Sequence, residues 1–118
     1  MIKTSCHCGQ VTVEIPTAPE TLTSCNCSMC HRIGALWAYY TLDQVDISAD
    51  TELLNYLQGD RTLTLHSCGH CGCTTHYVGT DGKPDARVGV NMRMAPRELV
   101  ESLPARRFDG AETWKWLD

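Results

Sequence analysis

Eight cysteines are the residues of this 118-residue chain whose type and spacing could do chemistry, because thiolates bind metal ions and act as nucleophiles. Each lies within three residues of another, and they form three groups: Cys6 and Cys8; Cys25, Cys27 and Cys30; Cys68, Cys71 and Cys73. The C-x-C and C-x-x-C spacings suit two-point metal binding better than loop-closing disulfides. Since a reducing compartment is also expected, the pattern favours metal sites over a framework of four disulfides.

Two distant pairs, Cys6 with Cys8 and Cys68 with Cys71, predict a closed four-thiolate site that holds a structural zinc ion. We expect Cys6 and Cys8 near a strand, where residues two apart share a face and the intervening His7 points away from the metal. In the second pair, glycines relieve the strain of the turn that brings both sulfurs inward. Such a site ties the N-terminus to the middle of the chain and contributes folding free energy.

The loop with Cys25, Cys27 and Cys30 predicts a second metal site with three ligands. Catalytic zinc sites commonly keep a fourth position open for water or substrate, where the ion lowers the pKa of a bound thiol. Alternatively, Cys73 or a nearby histidine fills the fourth position, and the second ion is structural as well. The residues alone leave both alternatives open.

Other side chains near these motifs are secondary candidates. His31 is interpreted as a hydrogen-bonding neighbour of the ligands or as an exposed residue. The aromatic residues Trp37, Tyr39 and Tyr40 could line a pocket, although core packing is expected for at least two of them. Arginines could bind the carboxylates of a glutathione-like thiol, but a solvated charge is expected for most of the five candidates, Arg32, Arg93, Arg97, Arg106 and Arg107.

Length and charge limit the functional class. The length fits one domain over residues 1–118, with enough chain to bury a core. A formal net charge of −4 disfavours a nucleic-acid partner. There is no apolar run of about 18 residues and no secretory signal pattern, so we expect a cytoplasmic protein without a membrane partner.

Hydrophobic patterning predicts the strands that must position the cysteines. Alternation over 11–15 predicts a half-buried strand, and the aromatic-rich stretch 35–41 predicts a more buried one. Two hairpins are also predicted, one joining 52–57 to 61–67 through Gln58, Gly59 and Asp60, and one joining 75–79 to 86–92. In the first hairpin, Leu63 and Leu65 should face the same way.

Helical signals are short. Residues 28–34 predict one turn that Ser28 opens and Gly34 ends, and 95–102 predict another that begins with a proline. The C-terminal stretch 109–118 predicts a further turn or strand. The expected fold class is therefore mainly β, a small zinc-braced domain of folded sheets with one or two short helical turns.

Taken in order along the chain, the motifs resemble those of the glutathione-dependent formaldehyde-activating enzyme family. They are C-H-C-G-x-V (6–11), C-N-C-S-x-C-H-R (25–32), C-x-x-C-G (68–72) and R-R-F-D-G (106–110). The resemblance implies a zinc-braced β-tent, with structural zinc ligands at Cys6, Cys8, Cys68 and Cys71. It also implies that the zinc site associated with catalysis is formed by Cys25, Cys27 and Cys30. Cys73 departs from the pattern, which requires no cysteine there.

The activity implied by the resemblance is condensation of formaldehyde with glutathione to S-hydroxymethylglutathione. We therefore predict a zinc-dependent carbon–sulfur lyase-like enzyme with two zinc ions, acting on a small-molecule thiol such as glutathione and a small aldehyde. One alternative is a non-catalytic, zinc-stabilised binding module or a thiol and metal buffer. Another is a redox protein that forms disulfides in its C-x-x-C motifs.

Overall fold

Strands dominate the structure, which is a computed structural model describing residues 1–59 and 61–118. These residues contain eleven strands and two short α-helices, in chain order β1 (Ile2–Ser5), β2 (Val11–Ile15), β3 (Leu22–Cys25), α1 (Ser28–Ile33), β4 (Trp37–Thr41), β5 (Asp46–Ala49), β6 (Leu53–Gln58), β7 (Leu63–Cys68), β8 (Thr74–Gly79), β9 (Arg87–Asn91), α2 (Arg97–Ser102), β10 (Ala105–Asp109) and β11 (Lys115–Trp116). Two 3₁₀ turns, Leu42–Gln44 and Met92–Met94, follow β4 and β9. The prediction of a mainly β fold with short helices is confirmed.

The strands form two sheets. The smaller has the order β1-β2-β5, and the larger has the order β11-β10-β3-β4-β9-β8-β7-β6. Neighbouring strands run antiparallel except β3 and β10, which are parallel. Parallel strands need a long connection, and here most of the chain lies between β3 and β10. The pairing places β10 beside the strand that carries Cys25.

The main core contains side chains from both sheets. Its buried members are Val13, Ile15, Leu22, Leu36, Ala38, Val88, Val90 and Met92. Strand β2 alternates strictly: Val11, Val13 and Ile15 are fully buried and the residues between them less so, and Val13 and Ile15 enter this core. The other face of the larger sheet carries a second cluster of Ala35, Trp37, Leu65 and Tyr77, against which α1 packs Met29, Cys30 and Ile33. Alternation along β4 and β8 therefore gives the larger sheet two apolar faces.

Both predicted hairpins are present. Strand β6 pairs with β7, and β8 pairs with β9, all antiparallel. Leu63 and Leu65 share a face, as expected. The predicted turn residue Asp60 lies outside the described residues.

The helical predictions are confirmed with one correction. Helix α1 ends at Gly34 in the left-handed conformation, with φ of 65°. Its N-cap is Cys27, whose sulfur accepts the backbone N–H of Cys30, whereas Ser28 is the first helical residue. Helix α2 follows Pro96, and the C-terminal stretch forms turns and the short strand β11. Across the described part of the chain, no helix is long and apolar enough to cross a membrane.

Two histidines stack on neighbouring strands of the larger sheet. The rings of His66 and His76 lie 4.8 Å apart, centroid to centroid, at an interplanar angle of 29°. His76 is only 1% exposed, and its Nδ1 lies 2.8 Å from the hydroxyl of Thr75. Burial, followed by the neighbouring His66, lowers the pKa of His76 to about 3. His76 is therefore neutral in the folded protein throughout the physiological range.

The buried histidine makes stability fall in mild acid. Its folded pKa is below the value of about 6.5 expected in the unfolded chain, so its contribution is complete above pH 6.5 and is lost as pH falls. Between about pH 7.5 and 5.5, the wild type should lose about 1.4 kcal/mol more free energy of unfolding than His76→Gln, measured by urea denaturation with zinc in excess. His31→Gln, at an exposed position, serves as the control and should follow the wild type. Equal losses in the wild type and His76→Gln would contradict the assignment.

Candidate metal centres and the adjoining pocket

Four cysteine sulfurs converge where the two sheets meet. The sulfur atoms of Cys6, Cys8, Cys68 and Cys71 all lie within 4.8 Å of one another. Cys8 Sγ is 3.7 Å from Cys6 Sγ and 3.6 Å from Cys68 Sγ. Tetrahedral zinc with Zn–S bonds near 2.3 Å separates its sulfurs by about 3.8 Å, so the spacing suits that ion. We call this group the four-cysteine cluster.

Turns, rather than strand alternation, bring these sulfurs together. Cys6 and Cys8 follow β1 in a turn in which Gly9 has φ of 85°, so the expectation that strand alternation aims both sulfurs is wrong. In the second pair, Gly69 passes so close to β6 that a Cβ there would lie 2.2 Å from the carbonyl oxygen of Glu52. Only glycine fits this approach, which fixes the turn holding Cys68 and Cys71.

Backbone N–H groups surround the sulfurs of the four-cysteine cluster. Cys68 Sγ accepts from His70 N and Cys71 N, each at 3.4 Å, and Cys6 Sγ accepts from Val11 N at 3.3 Å. The backbone N–H of Cys73, with further help from that of Cys8, lowers the pKa of Cys71 to about 5. These donors stabilise thiolate, the form that binds metal.

The extra thiol, Cys73, lies beside the four-cysteine cluster and not at the second site. It packs against Cys6, Val11 and Cys68, and its sulfur accepts the backbone N–H of His7. Among the described residues, it is not part of the group formed by Cys25, Cys27 and Cys30. The alternative in which Cys73 supplies the fourth ligand of the second site is therefore not supported. The thiol behaves as a half-buried packing residue instead.

The second cluster, formed by Cys25, Cys27 and Cys30, surrounds the start of α1. Cys25 ends β3, Cys27 caps the helix and Cys30 lies in its first turn, which brings their sulfurs within 4.8 Å of one another. Hydrogen bonds orient the sulfurs: Cys25 Sγ accepts from Cys27 N at 3.5 Å, Cys27 Sγ from Cys30 N at 3.3 Å, and Cys30 Sγ from the indole N–H of Trp37 at 3.3 Å. We call this group the three-cysteine cluster.

The three thiols have different acidities. Burial raises the pKa of Cys25 and raises that of Cys30 further. For Cys27, burial acts in the same direction, but hydrogen bonds from the backbone N–H and side chain of Cys30 outweigh it and lower the pKa. Because two half-buried thiols resist ionisation side by side, a cation at this position would be needed to hold all three as thiolates.

The chain's C-terminal segment completes the surroundings of the three-cysteine cluster. A Cβ at Gly110 would lie 2.6 Å from Cys25 Sγ and 3.2 Å from Cys27 Cβ, so this position admits only glycine without displacing the cluster. Asn26 bridges the two segments, donating to Asp109 Oδ1 at 3.0 Å and accepting from Ala111 N at 3.0 Å. The sequence interpretation gave no role to Asn26, although it stands between two of the cysteines.

Asp109 organises the turn after β10. Its Oδ2 accepts both the backbone N–H and the hydroxyl of Thr113, at 3.1 and 2.8 Å, and its carbonyl oxygen accepts from Trp114 N at 2.7 Å. The hydroxyl of Thr113, together with Asn26, lowers the pKa of this buried carboxyl group. Trp114 has φ of 58°, an uncommon conformation for a non-glycine residue, which these hydrogen bonds stabilise.

The three-cysteine cluster opens into a pocket of about 620 Å³. All three tryptophans of the chain line it, and the complete lining is Thr23, Cys25, Cys27, Ser28, Met29, Cys30, Trp37, Tyr39, Gln58, Gly59, Leu63, Leu65, Tyr77, Arg87, Phe108, Gly110, Ala111, Trp114 and Trp116. Trp37 and Tyr77 form an edge-to-face pair with centroids 4.9 Å apart. The pocket is therefore largely aromatic, with sulfur at one wall.

The aromatic candidates divide between the pocket and the core. Trp37 is 2% exposed, packs in the second core cluster and also lines the pocket, as Tyr39 does. Tyr40 packs against the main core on the opposite face of β4 and donates its hydroxyl to Thr17 O at 2.8 Å. Two of the three aromatic candidates, Trp37 and Tyr40, therefore pack in the core, as expected.

The five candidate arginines do not line the pocket. Arg106 stacks on Trp116 and Arg107 pairs with Asp118 at 3.4 Å, while Arg32 donates to Ser28 O and Arg93 to Gly34 O. Arg97 is exposed on α2. The arginine that does line the pocket is Arg87, which the sequence interpretation missed because it lies far from every cysteine motif.

His31 is exposed and borders a smaller cavity of about 180 Å³ behind the three-cysteine cluster.

Comparisons with known proteins agree with the motif resemblance. The family model described as glutathione-dependent formaldehyde-activating enzyme matches residues 1–101, so the segment with Gly110 lies beyond the match. A crystal structure of a Rhodobacter sphaeroides protein, a structural genomics target, is similar with a TM-score of 0.68 and 28% sequence identity, covering 88% of this chain and 99% of that one. None of the curated proteins shows significant sequence similarity to the chain.

Removing the extra thiol should leave the three-cysteine cluster intact. After both proteins are loaded with zinc, we expect Cys73→Ala to bind as much metal as the wild type and to release the same fraction to a mild chelator, because Cys73 packs at the other cluster. Elemental analysis before and after chelation measures both quantities. Loss of the readily released fraction in Cys73→Ala would contradict this placement.

A methyl group at Gly110 should damage the three-cysteine cluster selectively. Gly110→Ala forces its Cβ against Cys25 Sγ, so we expect metal binding there to weaken by at least about tenfold while the four-cysteine cluster keeps its metal. Competition with a chromogenic chelator measures the affinities. Gly79→Ala is the matched control, since its Cβ would make only ordinary contacts of 3.5 Å or more. Equal affinities in the two variants would overturn the expectation.

Proposed function

Because the chain belongs to the glutathione-dependent formaldehyde-activating enzyme family, we propose that it is a zinc-dependent enzyme of the carbon–sulfur lyase type, joining and separating a thiol and a small aldehyde. The observation that carries the proposal is the three-cysteine cluster beside a pocket. Within the described residues, no fourth cysteine, histidine or carboxylate joins that cluster. Three protein ligands beside a substrate-sized pocket is the arrangement typical of catalytic zinc sites.

The residues present fit zinc at both clusters. Thiolate is a preferred zinc ligand, and backbone N–H groups already point at sulfurs of each cluster. We propose two zinc ions per chain, a structural one held by Cys6, Cys8, Cys68 and Cys71 and a second held by Cys25, Cys27 and Cys30. When bound at the three-cysteine cluster, zinc supplies Lewis acidity and lowers the pKa of a substrate thiol.

The chain's own groups would position the reactants. The indole N–H of Trp37 fixes Cys30, and Asn26 fixes the loop between Cys25 and Cys27. The aromatic walls formed by Trp37 and Tyr77 exclude water from one side of the cluster. These contacts hold the thiol ligands in place while leaving the pocket side free for substrate.

The proposed reaction balances without a redox cofactor. In the joining direction, the substrate sulfur forms a bond to the carbonyl carbon, and the π electrons of the carbonyl bond move to its oxygen. That oxygen gains one proton and the thiol loses one, so no electrons enter or leave. Cleavage of the carbon–sulfur bond is the reverse.

We also propose that residues 1–118 form one domain. Strands β10 and β11 lie beyond the family match but belong to the larger sheet, and their segment supplies Gly110, Trp114 and Trp116 to the pocket. A cytoplasmic location follows as part of the proposal, because a reducing compartment keeps all eight cysteines free for metal binding.

A ligand substitution tests the function. In Cys27→Ser, the serine can still cap α1, so the fold should survive while the cluster loses a sulfur ligand. Loss of a residue that only hydrogen-bonds to a metal ligand already lowers activity by about tenfold. Since Cys27→Ser removes a ligand itself, we expect its rate of thiol–formaldehyde adduct exchange to fall by at least about tenfold. NMR exchange spectroscopy on a panel of thiols, glutathione included, measures the rate.

Cys73→Ser is the matched control for this substitution, because it makes the same exchange of sulfur for oxygen at a cysteine outside the three-cysteine cluster. It should keep the wild-type rate. Equal acceleration by the wild type and Cys27→Ser, or acceleration by neither, would refute catalysis at this cluster. The latter result, with metal content intact, would favour a non-catalytic binding module or thiol and metal buffer.

A further inference from the structure

We propose that Arg87 binds the anionic end of an extended thiol substrate whose sulfur lies at the three-cysteine cluster. This inference rests on the proposed function of that cluster. It identifies the residue that would favour a thiol with a carboxylate several bonds from the sulfur over a neutral one.

Arg87 is the one charged residue among the described residues that line the pocket. Its guanidinium carbon lies 4.3 Å from the centroid of the Tyr39 ring, a cation–π contact that holds the group over the pocket wall. The described chain places no carboxylate within salt-bridge distance of it, the one recorded pair being Arg107 with Asp118. Within the part of the chain that the structure describes, Arg87 is therefore a positioned cation that no carboxylate pairs with.

The chemistry of a guanidinium group defines the preferred partner. Its planar fork of N–H donors matches a carboxylate in two parallel hydrogen bonds, and contact with an aromatic ring orients that fork. Aromatic side chains, Tyr39 among them, form much of the surrounding wall, so an anion bound there is partly withdrawn from water and its attraction to Arg87 is strengthened. A neutral thiol would leave this cation unmatched.

Strand register sets the length of the substrate. Trp37, which donates to Cys30 Sγ, pairs with Asn91, whereas Arg87 pairs with Thr41 at the far end of β4. The Arg87 side chain leans back so that its guanidinium lies over Tyr39, two residues along β4 from Trp37, and two residues along a strand span about 7 Å. The anion should therefore lie several bonds from the sulfur, and a thiol as short as mercaptoacetate should not reach both groups.

A titration with matched thiols tests the inference. Mercaptoacetate and mercaptohexanoate are each compared with their neutral amides on the zinc-loaded full chain, using quenching of tryptophan fluorescence, since every tryptophan lines the pocket. The wild type should bind mercaptohexanoate roughly tenfold or more tightly than its amide, and mercaptoacetate should show no such preference. Arg87→Gln should abolish the preference, and Arg87→Lys should keep part of it.

Arg97→Gln is the control, because Arg97 is exposed on α2 and does not line the pocket. It should bind like the wild type. Equal weakening of the acid and the amide in Arg87→Gln would show that Arg87 only supports Tyr39, and unchanged binding would show that it has no role; either result overturns the inference. Adduct exchange measured on the same proteins separates the two proposals: catalysis without acid preference overturns the role of Arg87 alone, while acid preference without catalysis overturns the lyase function alone.

Discussion

Close packing of thiol groups is the constraint on which this structure depends. Sulfur atoms within 4.8 Å of one another cannot all ionise unless a cation lies between them, because like charges at that distance repel strongly in a partly buried setting. The four-cysteine cluster joins the turn after β1, in the smaller sheet, to the end of β7, in the larger one. A metal there would act as a crosslink between the two sheets, beside the main core that they share, which is how closed zinc sites contribute to folding.

The three-cysteine cluster depends on a second, non-local arrangement. β10 pairs in parallel with β3, which places the Asp109 turn against the loop that holds Cys25 and Cys27. Asn26 then joins the loop to that turn through hydrogen bonds in both directions. The uncommon backbone conformation of Trp114 belongs to the same arrangement, since strained conformations persist where surrounding hydrogen bonds define them. The last part of the chain is thus structurally continuous with the site, although the family match ends at residue 101.

Local features of the sequence predicted local features of the structure. The alternation of β2, the two hairpins and the glycine that ends α1 each depend on residues close together in the chain, and the cysteine spacing predicted both clusters. Pairings between distant segments could not be predicted in this way. The position of Cys73 depends on the turn that aims its sulfur at the backbone of His7. Arg87 reaches the pocket only because β9 pairs with β4, a register that no motif encodes.

The two clusters use the same ligand chemistry and differ in what surrounds it. At the four-cysteine cluster, the sulfurs are complete in number, and two of them, Cys6 and Cys68, are buried. At the three-cysteine cluster, the described residues bring together three sulfurs and no fourth ligand, and Gly110 packs closely beside Cys25. Three thiolates with one bound divalent ion would carry one negative charge in total, and a substrate thiolate would add a second. A substrate with its own carboxylate would add a third, and a cation in the pocket would offset part of this charge; among the described lining residues, Arg87 is the side chain placed to supply it.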